Sequence, residues 1–246
     1  MVDYVFVHGG GQGGWVWNET IAALHLQTGG AFVRTLALDV PGCGEKRHRD
    51  VTSLTMDDIV TELLSDVMAG DLRDIVLVGH SQAGTVLPRL VEKSPSLFHR
   101  AVYVSCSAPL PGQTVLQMMG SGLRGSNEHE VGWPFDPKVH DVRARYPSMF
   151  CNDMDEAEMS NFLARLGKDA WPPGAYAATD WRYDHLGGVP ATYVVCLRDE
   201  ALPIKWQETF ASRLGVQRLV RIDAGHQVMI TRPQALAEAL LRKATR

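Results

Sequence analysis

The chain has 246 residues and a formal net charge of -4, with acidic and basic residues interspersed along its length. Because no run of Lys and Arg could neutralise a row of phosphates, the charge pattern argues against a nucleic acid partner. No stretch approaches the roughly 18 uncharged apolar residues that a membrane span requires. We therefore expect a soluble, cytoplasmic protein that does not associate with membranes.

The cysteines are widely spaced and form no CxxC pair; they are Cys43, Cys106, Cys151 and Cys196. This spacing argues against a zinc site and gives no disulfide framework, so we expect reduced thiols and no bound metal.

Six short apolar runs are rich in Val and lack polar alternation, which is typical of strands buried on both faces of a parallel sheet. In chain order they span residues 4–7, 33–38, 75–78, 101–104, 191–197 and 219–222.

Helical patterns lie between several of these runs. Thr55 and Asp58 form a T-x-x-D capping box ahead of an apolar stripe at helical spacing. We expect a second box at Thr231 and Gln234, with Pro233 early in a helix that ends the chain. This order predicts an α/β fold with a doubly wound, mostly parallel sheet flanked by helices, and an active site at the carboxyl ends of its strands.

The alternation stops between about residues 109 and 188, where Gly, Pro and bulky aromatic residues are concentrated. Disorder is the alternative, but so many aromatic residues do not fit a solvated linker. We predict a core of residues 1–108 and 189–246, with residues 109–188 inserted as a cap. Trp133, Phe135 and Trp171 are candidates for an apolar substrate pocket, and packing within the cap accounts for them equally well.

The strongest chemical signal is the sequence IVLVGHSQAG at residues 75–84, an apolar strand that enters a turn of small residues before a helix. A nucleophile elbow needs this pattern, because its strained turn lifts a serine hydroxyl above the sheet. Ser81 is therefore the candidate nucleophile. The usual pattern is G-x-S-x-G, and Ala83 replaces its last glycine. An ordinary strand-to-helix turn would look similar, so this motif alone does not decide the function.

A serine nucleophile needs a base, and the base needs a group that orients it. His226 follows the last apolar run on a glycine loop, and Asp199 follows the run before it. A single histidine is more often structural, but serine, acid and histidine here follow strands in the chain order that this triad uses. Glu200 competes with Asp199 for the acid role, whereas Asp223 lies too close to His226 in sequence.

Acyl transfer also needs donors for an oxyanion. Residues 8–14, HGGGQGG, follow the first strand and can present backbone amides without obstruction by side chains. We assign the oxyanion hole to the amides of Gly10 and Gln82. His8 is interpreted as a structural residue and Asp39 as a turn or cap residue. The glycine spacing fits neither a P-loop nor a dinucleotide-binding loop.

These motifs together resemble the plant-type methyl esterase and hydroxynitrile lyase family of α/β-hydrolases. The resemblance includes residues 7–17, 39–44, 79–81, 199–200 and 225–226, and covers the core better than the cap. It implies chemistry without a cofactor on small esters or cyanohydrins, often in homodimers.

The lyases of that family have a threonine after the first histidine and a lysine after the catalytic histidine. This chain has Gly9 and Gln227 there, so we predict a carboxylic ester hydrolase acting on a small, largely apolar substrate. Two alternatives stay open. The triad could act as acid and base in a lyase or a carbon-carbon bond hydrolase, or the protein could be a receptor that binds a small ligand without turnover.

Overall fold

The computed structural model describes residues 2–29 and 33–242, which build one six-stranded parallel sheet. The strands run in the spatial order β2-β1-β3-β4-β5-β6. Their bounds are β1 Tyr4–Val7, β2 Thr35–Leu38, β3 Ile75–His80, β4 Phe98–Val104, β5 Ala191–Cys196 and β6 Arg218–Ile222. Each predicted run falls on a strand, with ends that differ by at most three residues. The predicted fold class is confirmed.

Alternate residues of β1 to β5 enter two separate cores, one on each face of the sheet, whereas the edge strand β6 contributes to one core only. In β1, Val5 and Val7 pack on one face, whereas Tyr4 and Phe6 pack on the other. Because side chains alternate along a strand, apolar residues at every position are what a sheet covered on both faces requires.

Helices cover both faces of this sheet. The α-helices are α1 Asn18–Gln27, α2 Met56–Ala69, α3 Leu87–Lys93, α4 Val115–Met119, α5 Tyr146–Phe150, α6 Glu156–Leu163, α7 Pro173–Ala177, α8 Ile204–Arg213, α9 Val228–Thr231 and α10 Pro233–Leu241. Apolar residues of α1 and α10 join the core that contains Phe6, and those of α2, α3 and α8 join the core that contains Val5. Among the helices of the described ranges, none has the length and apolar character needed to cross a membrane.

The start of α2 confirms the predicted capping box, because Thr55 accepts from the Asp58 amide and the Asp58 carboxylate accepts from the Thr55 amide. The box predicted at Thr231 is wrong. α10 begins at Pro233 after Arg232, with no side-chain cap, while Thr231 ends the short helix α9 and donates its hydroxyl to Asp153, 2.8 Å away. The predicted extension of α10 to the chain end lies outside the described residues.

Residues 109–188 contain the short helices α4 to α7 and two 3-10 helices, Arg143–Arg145 and Asp184–Gly188. One isolated parallel bridge joins Leu123 to Trp133. The segment leaves the sheet after β4 and returns to it at β5, which lies beside β4. Its two ends therefore meet neighbouring strands.

Thr55→Ala should lower the free energy of unfolding by about 1 kcal/mol, because the α2 amide that Thr55 satisfies loses its partner. Urea unfolding followed by circular dichroism measures the change. Ser53→Ala is the matched control, since Ser53 is exposed, and it should leave the midpoint unchanged. Equal losses in both variants would contradict the capping role.

Candidate active site

Three side chains from distant parts of the chain form one hydrogen-bonded series. The Oγ of Ser81 lies 3.1 Å from Nε2 of His226, and Nδ1 of His226 lies 2.7 Å from Oδ2 of Asp199. Because a carboxylate only accepts hydrogen bonds, Nδ1 carries the imidazole proton and Nε2 is free to accept from the serine hydroxyl. The structure thus brings together the serine, histidine and acid predicted from the sequence.

Ser81 lies in a strained turn between β3 and the 3-10 helix Ser81–Thr85. Its φ of 53° is in the left-handed region that non-glycine residues rarely occupy. Two glycines allow close contacts around this turn: Gly79 lies against α3, and Gly84 lies against the segment that follows β4. A Cβ on Gly79 would lie 2.6 Å from a methyl carbon of Leu87, and a Cβ on Gly84 would lie 2.1 Å from the carbonyl oxygen of Ser107. The motif therefore has the geometry of a nucleophile elbow.

Asp199 lies in the loop after β5, and both oxygens of its buried carboxylate accept hydrogen bonds. Oδ1 accepts from the backbone amides of Ala201 and Leu202, both at 2.8 Å. Oδ2 accepts from the hydroxyl of Ser105 at 2.5 Å in addition to His226. Buried charges are tolerated when hydrogen bonds compensate for lost water, so these donors hold an anion next to the imidazole.

The two competing acids point elsewhere. The carboxylate of Glu200 contacts Arg124 at 3.0 Å, and that of Asp223 contacts Arg198 at 2.8 Å. Both side chains are about half exposed or more. Of the acids considered, Asp199 is the one that the structure brings to His226.

His226 lies in the loop after β6, and a second histidine, His80, contacts its backbone and its ring. Nε2 of His80 donates to the carbonyl of His226 at 2.9 Å, and the two rings lie 4.5 Å apart. Burial, reinforced by the neighbouring His226, lowers the pKa of His80 well below its ordinary value. His80 is therefore neutral, and it fixes the loop without adding charge to the site.

The glycine loop after β1 lies directly against the Ser81 turn. A Cβ on Gly9 would be 3.0 Å from the Cβ of Ser81, and a Cβ on Gly10 would be 2.4 Å from Oε1 of Gln82. Gln82 is in the first turn of its 3-10 helix, where backbone amides have no partner within the helix. The two segments predicted to donate to an oxyanion are thus in contact.

Residues below the glycine loop fix its shape. His8 donates from Nδ1 to the carbonyl of Gly9 at 2.8 Å and accepts from the amide of Val40 at Nε2. Burial lowers the pKa of His8, which suits this neutral form. Asp39 accepts from the amides of Gly14 and Glu45. His8 and Asp39 thus both have hydrogen bonds that suit the structural roles predicted for them.

A pair of amides ties the same loop to the histidine loop. Gln227 is fully buried, and its Oε1 accepts from Nε2 of Gln12 at 3.1 Å. At the position where the lyases have a lysine, this chain therefore has a neutral side chain that faces the core.

The predicted pocket residues have different surroundings. Trp171 is buried, donates from Nε1 to the carbonyl of Gly9 at 3.2 Å, and meets His8 edge to face. Trp133 and Phe135 contact each other, with ring centroids 6.0 Å apart, and Trp133 donates to the Gly120 carbonyl. Trp171 thus touches the candidate site through the glycine loop, whereas the other two contact their own segment.

Sequence reasoning missed two aromatic residues that do touch the site. The Phe150 ring lies 5.5 Å from that of His226. Burial raises the pKa of Tyr176, and a hydrogen bond between Tyr176 and the Gln82 side chain opposes this shift. Both lie in the segment of residues 109–188. Its apolar residues follow no regular helix or strand spacing, so the sequence does not show which side chains face the site.

Within residues 2–29 and 33–242, no group of three His, Cys, Asp or Glu side chains could hold a metal ion. The sheet topology and the placement of Ser81, Asp199 and His226 after β3, β5 and β6 define an α/β-hydrolase. The sequence pattern of the alpha/beta hydrolase family matches residues 4–239, and the chain belongs to this family.

Relatives and solved structures agree with this assignment. The chain is 27% identical to the carbendazim hydrolyzing esterase of Nocardioides sp. (strain SG-4G), over 98% of each chain. It is 26% identical to polyneuridine aldehyde esterase of Rauvolfia serpentina, over 97% of this chain and 94% of that protein. A solved structure of an extracellular α/β-hydrolase from a Paenibacillus species matches with a TM-score of 0.77 at 20% identity, over 98% of both chains. The family resemblance predicted from the sequence is confirmed.

Gly84→Ala should lower the free energy of unfolding by about 2 kcal/mol or more, because overpacking in a close contact costs roughly this much. Gly187→Ala is the control, since a Cβ there would meet nothing within 4 Å. Its free energy of unfolding should stay within about 0.5 kcal/mol of the wild type. Urea denaturation compares the two, and a tolerated Gly84→Ala would contradict the close approach at the elbow.

Proposed function

We propose that this protein is a serine esterase that hydrolyses carboxylic esters of small molecules, with Ser81 as nucleophile, His226 as general base and Asp199 as the orienting acid. The observation that carries the proposal is the pair of hydrogen bonds centred on His226, 3.1 Å to Ser81 and 2.7 Å to Asp199. A serine hydroxyl needs such a base to become nucleophilic at neutral pH.

In the acylation step, the Ser81 oxygen attacks the ester carbonyl while Nε2 of His226 takes its proton. The carbonyl becomes a tetrahedral oxyanion, and the protonated imidazole is stabilised by Asp199. When the oxyanion collapses, the alcohol leaves with the proton from His226, and the acyl group stays on Ser81. A water molecule then repeats the sequence and releases the acid.

The backbone amides of Gly10 and Gln82 are the donors that we assign to the oxyanion. Contact between the Gly10 backbone and the Gln82 side chain supports this assignment, since it holds the two segments side by side. Each donor of this kind contributes about 3 kcal/mol to transition-state stabilisation.

Ester hydrolysis is favoured over cyanohydrin cleavage by the side chains around the triad. Gln227 gives no positive charge to hold cyanide, and Gly9 gives no hydroxyl. The esterase names of the Nocardioides and Rauvolfia relatives support the same choice. A small molecule is therefore the proposed substrate.

We further propose that residues 109–188 are a cap over the site, inserted between core segments 1–108 and 189–246. Contacts of Phe150 with His226 and of Tyr176 with Gln82 support this role. We keep Trp133, Phe135 and Trp171 as proposed pocket residues and add these two aromatic side chains. Their apolar surfaces favour an aromatic or branched group on the substrate.

A cytoplasmic location and a homodimer complete the proposal. The four cysteines are buried and free, as expected for a reducing compartment. Cell fractionation checks the location, and sedimentation of the purified protein checks the dimer.

Ser81→Ala and His226→Ala should each lower kcat for a nitrophenyl ester by roughly four to six orders of magnitude, because these groups act as one unit. A burst of nitrophenol and labelling of Ser81 by a fluorophosphonate should also disappear in Ser81→Ala. Asp199→Asn should lose about four orders of magnitude, since the wrong tautomer is favoured. Glu200→Gln is the matched control and should keep wild-type kcat.

The alternatives give different results in the same assays. Activity on a cyanohydrin or a β-diketone, with no acyl-enzyme on any ester by mass spectrometry, would favour the lyase or carbon-carbon hydrolase. Tight binding of a small apolar ligand without turnover would favour a receptor. Hydrolysis that is indifferent to both Ser81→Ala and His226→Ala would overturn the proposed mechanism.

Phe150→Ala should raise KM for an aryl ester about tenfold, because removing most of an aromatic contact costs roughly 1–2 kcal/mol of apolar burial. KM for methyl acetate, which is too small to use that surface, should change less. Val139→Ala serves as a control because Val139 is an exposed residue of the same segment. An unchanged KM for aryl esters in Phe150→Ala would remove this residue from the pocket.

A further inference from the structure

Asn152 and Asp153 lie in the loop between α5 and α6 and contact both loops that carry the acid and the base. The side chain of Asp153 has no exposed surface. Its Oδ2 accepts from the backbone amide of Gly225 at 2.8 Å and from the hydroxyl of Thr231 at 2.8 Å. These two partners flank His226, one directly before it and the other at the end of α9.

Asn152 contacts the other loop. Its Nδ2 donates to the backbone carbonyl of Arg198 at 2.7 Å, and Arg198 directly precedes Asp199. One pair of neighbouring side chains from residues 109–188 therefore binds the residue before the acid and the residue before the base.

The fit at Gly225 leaves no room for a side chain. A Cβ there would lie 2.3 Å from Oδ1 of Asn152 and 2.5 Å from Oδ1 of Asp153. Direct packing as well as hydrogen bonds therefore fixes the histidine loop against the Asn152–Asp153 pair.

Two arginines partly balance the negative charge of Asp153. Oδ2 of Asp153 lies 3.9 Å from a guanidinium nitrogen of Arg198 and 3.9 Å from one of Arg232. A buried carboxylate is costly without such partners. The Gly225 amide and the Thr231 hydroxyl donate the close hydrogen bonds to it, and the two arginines supply opposite charge at longer range.

We infer that the Asn152–Asp153 pair positions the catalytic triad by holding the Asp199 and His226 loops at a fixed separation. This inference rests on the proposed esterase function. Asn152 and Asp153 touch no reacting atom in this mechanism, and they act through the backbone of their neighbours. The segment that covers the site thus also sets the distance between its acid and its base.

Asp153→Ala should lower kcat about tenfold to a hundredfold, since misplacing a catalytic group by about 1 Å costs up to this much. KM should stay near the wild-type value, because Ser81 and the pocket are untouched. The rate of Ser81 labelling by the fluorophosphonate should fall in parallel. Asp153→Asn keeps an oxygen acceptor of the same shape and should restore kcat to within about threefold of the wild type.

Asp155→Ala is the matched control. Asp155 is an exposed aspartate of the same segment and also accepts a backbone amide, that of Glu158 at 2.8 Å. Its loss should lower the thermal unfolding midpoint but leave kcat unchanged. A general structural role for this loop would lower kcat in both alanine variants.

Asn152→Ala tests the pair even if Asp153→Ala does not fold, because its hydrogen bond to Arg198 lies at the surface. We expect a drop in kcat of about threefold to tenfold with unchanged KM, as for loss of one positioning contact. Wild-type kcat in Asn152→Ala would overturn the inference. A folded Asp153→Ala that keeps wild-type kcat, or that changes KM alone, would overturn it as well.

Failure of the inference is distinct from failure of the proposed function. If the wild type hydrolyses esters through Ser81 and the pair variants keep full kcat, only the positioning role is wrong. If the wild type neither hydrolyses esters nor reacts with the fluorophosphonate, the esterase proposal is wrong, and the positioning role fails with it.

Discussion

The buried hydrogen bond between Nδ1 of His226 and Oδ2 of Asp199, 2.7 Å long, is the interaction on which the arrangement of the site depends. It joins the loops after β5 and β6, fixes the imidazole tautomer, and leaves Nε2 facing Ser81. The bond is stable inside the protein because the carboxylate has other donors as well: the hydroxyl of Ser105 and two backbone amides. Without them, the desolvated charge would be too costly to keep.

The rest of the site depends on glycines that let neighbouring backbone segments come close together. Gly79 allows β3 to approach α3, and Gly84 allows the turn to approach the segment after β4, while Ser81 between them has a positive φ. Gly9 and Gly10 let the loop after β1 reach the same turn. Strain and crowding are thus concentrated beside the proposed nucleophile, where the rigid sheet can sustain them. Such preorganisation is what stabilisation of a transition state by fixed backbone donors requires.

Much of this could be predicted from the sequence, because continuous apolar runs mark the strands and the triad residues follow three of these runs closely. Other features depend on partners far away in the chain. Ser105 looks like any polar residue after a strand, and nothing local shows that it meets Asp199. Phe150 belongs to a segment without a regular period. The failed cap at Thr231 has the same origin, since its hydroxyl is taken by Asp153, 78 residues earlier.

The two neutral histidines beneath the site make the stability of the fold depend on pH. Burial depresses the pKa of both His8 and His80, whereas in an unfolded chain a histidine titrates near its ordinary value of about 6.5. Below that pH the unfolded chain binds protons at these two histidines, whereas the folded protein does not. The free energy of unfolding therefore falls as the pH falls, until the two imidazoles are also protonated in the folded protein. These two histidines thereby favour neutral over acidic surroundings for the scaffold that orients the reacting groups.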